Sequence, residues 1–383
     1  NVPSTPSIIK GNQTVLSARL TDGVFLYEQD LKVPLETFSK KLDNVIFQTG
    51  LGTLSDKVMR MNDHARALLP YFPKANAYEI QEAVSLSKAD LATEMVREFP
   101  ELQGQIGTIY ARVQKKPEQV YLAIEEQWLP KRENGPLPKT VTGVILSLAD
   151  KIDNLLGFFA IGQKPTSSSD PFALRRQALG VVRIILDQQL YLSLSELLQN
   201  CLKSYLKPTE QHREIAQEVL NFIIARAKGI FSDFGFDKDE IESCFTVRQD
   251  NLYDVLKRLE ALHRVRKEKD SFKQLVEVYK RTKGQASGFP PFEIHADLIK
   301  EPSEQILYAL LKDSKKEFFE AVNTLSYHEA IELLTLFQKA LDDLFSSIKI
   351  LDDDEQIKHN RIALLQAVEK LFTQIADFQK LQF

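Results

Sequence analysis

The sequence predicts a mostly α-helical protein with two or three helical domains, and three observations support this. Apolar residues recur every three or four positions from about Leu35 to the end of the chain, which is the spacing of one helix face. With 383 residues, the chain is long enough for more than one domain core. Its hydrophobic content of 43% and charged content of 27% are those of an ordinary globular protein.

The composition also bears on where the protein works. No apolar run approaches the ~20 residues that a helix needs to cross a membrane, and the first residues do not have the pattern of a secretory leader. The two cysteines, Cys201 and Cys244, occur in apolar patterns, and two cysteines cannot form a disulfide framework. These features favour a cytoplasmic protein that does not contact a membrane.

Residues 1–40 are predicted to be a linker and a short hairpin that follow a preceding module. Residues 1–10 are polar and contain two prolines. The turn sequence Thr21–Asp22–Gly23 between apolar stretches predicts a hairpin or strand pair over residues 15–27.

Helical spacing then continues through a predicted domain of residues 41–190. Helices are predicted in 35–58, 77–99, 117–128, 141–159 and 171–187. Gly50 and Gly52 predict a turn that breaks the first of these helices. Asp170 before Pro171 predicts the start of the last one, because aspartate can cap a helix and proline at the first position has no N–H to satisfy.

The remainder is predicted to form a helical body or linker over 191–283 and a C-terminal helical domain over 284–383. Helices are predicted in 193–206, 210–230, 238–244, 250–283, 302–312, 314–323, 327–346 and 355–380. A loop rich in glycine and proline, residues 284–291, divides the two regions.

The sequence lacks the motifs of the common catalytic centres, so we predict no catalytic residue and no metal ligand. Neither a GxxxxGK[ST] nor a GxGxxG phosphate-binding loop occurs, and neither does the HExxH or GxSxG motif of hydrolases. The six histidines are scattered, and two distant cysteines cannot form a four-thiolate or paired cysteine–histidine zinc site.

One constellation is more specific. Residues Ser147–Leu155 strongly resemble the last motif of the HD superfamily of helical, metal-dependent phosphohydrolases, in which the aspartate matching Asp150 closes a metal site. Asp90 occupies the aspartate position of the earlier His–Asp pair, but Ala89 stands where the histidine belongs. Because a divalent metal needs several converging ligands, we predict a degenerate HD-like fold without metal. Asp90 would then cap a helix or pair with a lysine or arginine, and Asp150 would pair with Lys151 or the start of the next segment.

Several sequence strings match one family in their order along the chain. They are Phe47–Lys57, Ser87–Val96, Glu98–Gly104, Tyr110–Arg112, Leu148–Asp153, Phe158–Gly162, Asp170–Gly180, Asn360–Leu365 and Leu381–Gln382. They resemble the C-terminal part of the bacterial glycyl-tRNA synthetase β subunit, the partner of a catalytic α subunit in a class II heterotetrameric enzyme. The likeness covers almost the entire chain. In some members, those of chlamydiae among them, α and β are fused, and the sequence is compatible with either arrangement.

The resemblance implies a part of glycine–tRNA ligase that positions tRNA-Gly for glycylation. The catalytic α moiety would use glycine, ATP and magnesium, so no cofactor is implied for this chain. The implied partners are tRNA-Gly and the α subunit or moiety, with no DNA and no membrane. The HD-like domain would lie near the acceptor side of the tRNA, and a C-terminal DALR-type helical bundle would bind the anticodon.

The predicted tRNA contacts are concentrated in one basic segment. The net charge is −4, yet residues 257–283 contain ten lysines and arginines and four acidic residues. Such a stripe can direct a polyanion to one face of an acidic protein, although a solvated helix face explains the charge equally well. The candidate contacts are Lys257, Arg258, Arg264, Arg266, Lys267, Lys273, Lys280, Arg281, Lys358, Arg361, Arg175 and Arg176.

Helical geometry makes some of these candidates more specific. Arg266, Lys273 and Lys280 are one heptad apart, which predicts nearly one face of a helix. Tyr279 beside them is either a stacking surface for a base or a core aromatic. Residues 282–287 depart from the family pattern, so we expect the structure at this end of the helix to differ from that of the family.

The remaining candidates have structural alternatives of equal weight. Arg175 and Arg176 contact RNA or, alternatively, pair with Asp150 or Asp170. The acidic run 352–355 is predicted to cap the last helix rather than to bind metal.

Two other functions stay open at this point. An active HD phosphohydrolase would bind a divalent metal and would need Asp150 for hydrolysis. A scaffold would dock the α moiety without contacting RNA.

Overall fold

The computed structural model describes residues 6–205 and 210–382. These residues form α-helices joined by loops and two very short strands, which confirms the mostly α fold class. The chain divides into two compact units, Asn1–Arg226 and Ala227–Phe383. The finer division predicted from the sequence, into 1–40, 41–190, 191–283 and 284–383, stays a prediction.

The first unit contains ten complete helices within the described residues. They are α1 (Pro6–Asp30), α2 (Leu35–Lys41), α3 (Leu54–Leu68), α4 (Ala77–Leu86), α5 (Glu94–Glu98), α6 (Gln105–Val113), α7 (Glu118–Glu126), α8 (Val141–Ala160), α9 (Leu174–Asp187) and α10 (Leu194–Leu202). Short 3-10 helices lie at Leu42–Asn44, Leu69–Tyr71, Ala89–Ala92 and Pro100–Leu102. A further helix, α11 (Glu210–Asp233), contains the boundary between the units.

The core of the first unit is organised around α8. Almost every residue of this helix from Thr142 to Phe159 is buried. A helix that is apolar on all sides belongs in the interior, and α8 accordingly packs against α3, α7 and α9. The HD-like motif lies on α8, so its polar residues are carried into the core by the helix itself.

The hairpin predicted for residues 15–27 is wrong, because these residues belong to the continuous helix α1. The hydroxyl groups of Thr14 and Thr21 each donate to the carbonyl oxygen four residues earlier, so both threonines are accommodated within the helix. Gly23 lies against the ring of Phe99, where a Cβ atom would be 3.6 Å from Cε2. The glycine that suggested a turn therefore lies within a helix and packs against Phe99.

The turn predicted at Gly50 and Gly52 is confirmed. Both glycines have positive φ, 89° and 79°, in a backbone region that side chains disfavour. They connect the antiparallel strands β1 (Ile46–Gln48) and β2 (Gly52–Thr53). Thr53 and Asp56 then form a capping box that starts α3.

The capping role predicted for Asp170 is confirmed, but the helix begins later than expected. Its carboxylate accepts hydrogen bonds from the backbone N–H groups of Leu174 and Arg175, at 2.8 and 2.9 Å. The helix α9 therefore starts at Leu174 rather than at Pro171. The helix α6 was not predicted from the sequence.

The second unit is a helical bundle. Its complete helices among the described residues are α12 (Lys238–Val247), α13 (Leu252–Arg266), α14 (Lys269–Ala286), α15 (Pro302–Asn323), α16 (Tyr327–Ser347) and α17 (Glu355–Phe372), with 3-10 helices at Ala296–Leu298 and Phe378–Lys380. The helix α16 packs against α13, α14 and α15, and α17 packs against α14 and α15.

Three helix predictions in this unit are wrong. The helix predicted over 355–380 ends at Phe372, and a separate 3-10 helix follows at Phe378–Lys380. The helix predicted over 250–283 is two helices, because Glu268 adopts a non-helical conformation with φ −88° and ψ 72°. The helices predicted over 302–312 and 314–323 are one, α15, in which the Ser314 hydroxyl donates to the carbonyl oxygen of Leu310. In the described ranges, no helix has the length and apolar character needed to cross a membrane.

Candidate functional site

Charged side chains are buried where the HD-like motif of α8 meets its neighbours. Asp150 and Asp153 are 5% and 0% exposed. Nζ of Lys57 lies 3.1 Å from Oδ1 of Asp150 and 2.9 Å from Oδ2 of Asp153. Nζ of Lys88 lies 2.8 Å from Oδ1 of Asp150, and Nε of Arg60 lies 2.7 Å from Oδ1 of Asp153. We call these five residues the buried charge cluster.

Helix geometry explains how α3 contributes to the buried charge cluster. Lys57 and Arg60 follow Leu54 at intervals of three residues, and Met61 and His64 continue the same buried face. Lys57, Arg60 and Lys88 were not among the site residues predicted from the sequence. Lys57 and Arg60 could have been found from the sequence of α3, because basic residues on an otherwise apolar helix face indicate buried ion pairs.

The cationic groups determine the ionisation of both carboxylates. Burial raises the pKa of Asp150, but Lys57 and Lys88 outweigh it and hold that pKa well below its usual range. Burial also opposes the effect of Lys57 and Arg60 on Asp153, yet the pKa of Asp153 is lowered to about 2. Both carboxylates are therefore ionised at neutral pH.

Lys151 does not pair with Asp150 as predicted. The ammonium group of Lys151 donates instead to three other acceptors, of which the carbonyl oxygen of Leu129 is nearest at 2.6 Å. The direct partners of Asp150 are Lys57, which lies on α3, and Lys88, which lies just after the end of α4. Burial lowers the pKa of Lys151 to about 7, and the two neighbouring lysines act in the same direction.

His64, the histidine that precedes Asp90 in the sequence, is fully buried on α3. Its Nδ1 lies 3.4 Å from the carbonyl oxygen of Ala149, and its Nε2 lies 3.2 Å from that of Cys201. Burial lowers the pKa of His64, so the ring is neutral at pH 7. Its nitrogens thus face backbone carbonyl groups.

The residues at the HD-like motif do not fit a divalent metal. Oδ2 of Asp90 accepts a hydrogen bond from the backbone N–H of Gly104 at 2.6 Å and thereby fixes the start of α6, as the predicted capping role requires. Two ammonium groups lie within 3.1 Å of Asp150 and would repel a metal ion there. Among the residues that the structure describes, no three His, Cys, Asp or Glu side chains are grouped to hold a metal.

Two of the predicted tRNA contacts are wrong, because their side chains are enclosed by protein. Arg258 is 0% exposed, and its Nε lies 3.0 Å from Oδ2 of Asp254. Arg361 is 7% exposed and pairs with Glu304 and Asp352, each at 2.6 Å. Charge in the sequence indicated binding, but these guanidinium groups stabilise the second unit from within.

The predicted single face of Arg266, Lys273 and Lys280 does not form, because the chain breaks at Glu268. Arg266 lies on α13 and the two lysines lie on α14. Arg266 is tied to Asp239 at 2.9 Å. The stacking role considered for Tyr279 is also wrong, since that ring is fully buried and is a core aromatic, the alternative given by the sequence.

The other cations of the second unit are accessible to different degrees. Lys257 pairs with Glu260, Lys273 with Glu277 and Lys358 with Glu355, all within one helix turn. Lys280 donates to the carbonyl oxygen of Leu381, and Arg281 lies over the ring of Phe345. Arg264 and Lys267 are exposed at the end of α13. The expectation that acidic residues cap α17 is confirmed by Asp354, which accepts hydrogen bonds from the N–H groups of Gln356 and Ile357.

The two arginines at the start of α9 differ from each other. Arg175 lies 3.8 Å from Asp170, which agrees with the pairing alternative. Arg176 is exposed, and within the described part of the chain it forms no ion pair with Asp150 or Asp170, so it is available to a ligand.

Two models of known protein families match this chain. A family model described as glycyl-tRNA synthetase beta subunit matches residues 2–246, and one described as DALR anticodon binding domain matches residues 278–378. Proteins named glycine–tRNA ligase beta subunit are 36% identical in Clostridioides difficile, 37% in Desulforamulus reducens and 35% in Pseudomonas entomophila. These alignments cover 97%, 98% and 98% of this chain, but 54%, 54% and 55% of the relatives.

The chain thus spans about half the length of the curated relatives it matches. The family match covers more than half of this chain, from the helix α1 to the end of α12. The chain belongs to the glycyl-tRNA synthetase beta subunit family.

Proposed function

We propose that this chain is a tRNA-binding part of a glycine–tRNA ligase, which positions tRNA-Gly for ATP-dependent glycylation by a catalytic α subunit or moiety. The observation that carries the proposal is the anticodon-binding domain match over residues 278–378, adjacent to a family match over residues 2–246. The chain itself does not activate glycine, and ATP and magnesium are used by the α moiety. We propose that the complete enzyme acts in the cytoplasm.

The accessible basic residues provide the means of binding. Proteins hold RNA largely through phosphate contacts, which lysine and arginine supply. We infer that Arg264 and Lys267 are principal contacts of the second unit, because both are exposed and their side chains project from the end of one helix. The accessory contacts are Lys257, Arg266, Lys273, Lys280, Arg281, Lys358 and, in the first unit, Arg175 and Arg176.

A phosphohydrolase is a weaker candidate for this chain. Metal-dependent hydrolysis needs a cation held by carboxylates with open coordination positions. Asp150 is engaged by Lys57 and Lys88, and Asp90 by the backbone of Gly104. These contacts favour a structural role for both aspartates.

The double substitution Arg264→Ala with Lys267→Ala is expected to weaken the binding of tRNA-Gly about tenfold at moderate salt, since two phosphate contacts are lost. The slope of log affinity against log salt concentration should fall in magnitude by about 1 for each cation removed. Filter binding at four or five salt concentrations measures both quantities.

The matched control is Lys315→Ala with Lys316→Ala, two exposed lysines of α15 in the same unit. This pair should leave the affinity and its slope nearly unchanged. Equal weakening by both double variants would mean that attraction is diffuse and that Arg264 and Lys267 are not specific contacts.

A further inference from the structure

The first unit contains a cleft that the sequence analysis did not identify. It has a volume of about 440 Å³ and is lined by residues that include Trp128, Pro130, Lys131, Asp150, Lys151 and Arg176. Its floor is formed by the polar part of α8 and its wall by the segment that follows α7. A cleft of this size accommodates a small ligand or one unit of a polymer, but not an RNA duplex.

The charges around the cleft favour an anion. Lys131 and Arg176 are exposed at its edge, and within the described ranges neither has an ion-pair partner. Asp150 on the floor is already compensated by Lys57 and Lys88. One carboxylate, Glu101, also lines the cleft and is exposed. The cationic groups outnumber the carboxylates, so a phosphate group entering here meets a net positive charge.

Polar atoms beside the cleft lack partners. Among the described residues, Nε1 of Trp128 and Oε1 of Gln127 are buried without a hydrogen bond. Both residues line the cleft, and Gln127 is 0% exposed. Buried polar atoms are nearly always paired, so these two unpaired atoms are unusual in residues that line a cleft.

Trp128 supplies an aromatic surface at the same place. One face of its ring carries the ammonium group of Lys88, 4.0 Å from the ring centroid, and the side chain as a whole is half-buried. Unpaired RNA bases are recognised by stacking on aromatic side chains while lysine or arginine binds the adjoining phosphate. The cleft therefore combines the two groups that bind a single unpaired nucleotide.

We propose that this cleft binds one unpaired nucleotide of the tRNA, with its phosphate between Lys131 and Arg176 and its base against Trp128. The inference rests on the proposed tRNA-binding function and adds a site outside the anticodon-binding region. The proposed contacts include no divalent metal, because Lys131 and Arg176 at the edge of the cleft supply the positive charge that faces the phosphate.

Trp128 makes the test direct, since it is the chain's single tryptophan. Titration of the full chain with a tRNA-Gly transcript should change tryptophan emission in a saturable manner, equally with magnesium and with EDTA. Lys131→Ala with Arg176→Ala should weaken binding about tenfold and abolish or greatly reduce the emission change. The control, Lys40→Ala with Arg112→Ala, removes one exposed lysine and one exposed arginine of the same unit. It should change neither the affinity for tRNA nor the change in tryptophan emission.

The possible outcomes are separable. If tRNA binds but tryptophan emission stays constant, or if the Lys131 and Arg176 variant binds like the wild type, the cleft proposal is overturned and the proposed function stands. If tRNA does not bind to the chain at all, both are overturned. If adenosine or guanosine monophosphate at equal concentration displaces the tRNA signal and saturates the cleft, the ligand is a free nucleotide and the RNA proposal is wrong.

Discussion

The substitution Asp153→Asn is expected to lower the free energy of unfolding of the first unit by about 3–5 kcal/mol, the cost of breaking a buried ion pair. Asp153 is 0% exposed and lies 2.9 Å from Nζ of Lys57 and 2.7 Å from Nε of Arg60. It also accepts a hydrogen bond from the hydroxyl of Tyr205 at 2.6 Å. Asparagine has nearly the same shape but leaves Arg60 without its carboxylate partner and Lys57 with Asp150 alone. Urea unfolding followed by circular dichroism measures the loss.

The pH dependence of this effect follows from the pKa of Asp153. Its folded value is lowered to about 2 from an ordinary value of 3.8, so ionised Asp153 stabilises the fold above pH 4. The stability difference between wild type and Asp153→Asn should therefore be constant from pH 5 to pH 7. It should shrink as the pH falls from about 4 towards 2, where the wild-type carboxyl group becomes protonated.

The matched control is Asp63→Asn on α3, whose carboxylate is 52% exposed and lies 3.7 Å from Arg66. An exposed pair of this kind contributes less than about 1 kcal/mol. A stability loss for Asp153→Asn no larger than that of the control would contradict the structural role of the buried charge cluster.

The substitution Arg258→Ala is expected to lower the free energy of unfolding of the second unit by about 3–5 kcal/mol, since it removes the nearer cation from the buried carboxylate of Asp254 and leaves buried carbonyl groups without a donor. The guanidinium group of Arg258 bonds Asp254 at 3.0 Å and the carbonyl oxygens of Cys244 and Ile375 at 2.7 and 3.1 Å. It joins α12, α13 and the segment after α17, so its loss removes contacts between several elements. Thermal and urea unfolding of the full chain measure the change.

Two further variants make this prediction specific. Arg258→Lys should rescue little of the loss, because one ammonium group cannot reach acceptors that lie around a planar guanidinium. The neighbour Lys257 is partly exposed and forms an ion pair with Glu260 within one helix turn, so Lys257→Ala should change stability by less than about 1 kcal/mol. If Arg258→Ala lowered tRNA affinity but left stability unchanged, Arg258 would be an RNA contact, and its assignment to the core would be wrong.

The fold class was predictable because most helices carry a regular apolar period. The central helix α8 was predicted over 141–159 and extends from Val141 to Ala160. Periodicity could not locate the break at Glu268, since both α13 and α14 keep the apolar spacing on either side of it. It also could not show that Gly23 lies within the continuous helix α1 rather than in a turn.

The candidate site was less predictable than the fold. Asp90 and Asp150 were identified by a motif, but their partners come from segments far apart in the sequence, as with Lys57 and Asp150. Charge alone could not separate Arg258 and Arg361, which are buried, from exposed cations such as Arg264. A basic residue in a sequence carries no information on whether its partner is a protein carboxylate or an RNA phosphate.

The most direct test of the proposed function is a binding competition between tRNA-Gly and the same tRNA with an altered anticodon. The full chain should bind tRNA-Gly more tightly than the altered tRNA, with an affinity that falls steeply as salt increases, because both base and phosphate contacts contribute. Equal and salt-insensitive binding of the two tRNAs would contradict the proposal that the basic residues of the chain bind tRNA-Gly and that its anticodon is recognised.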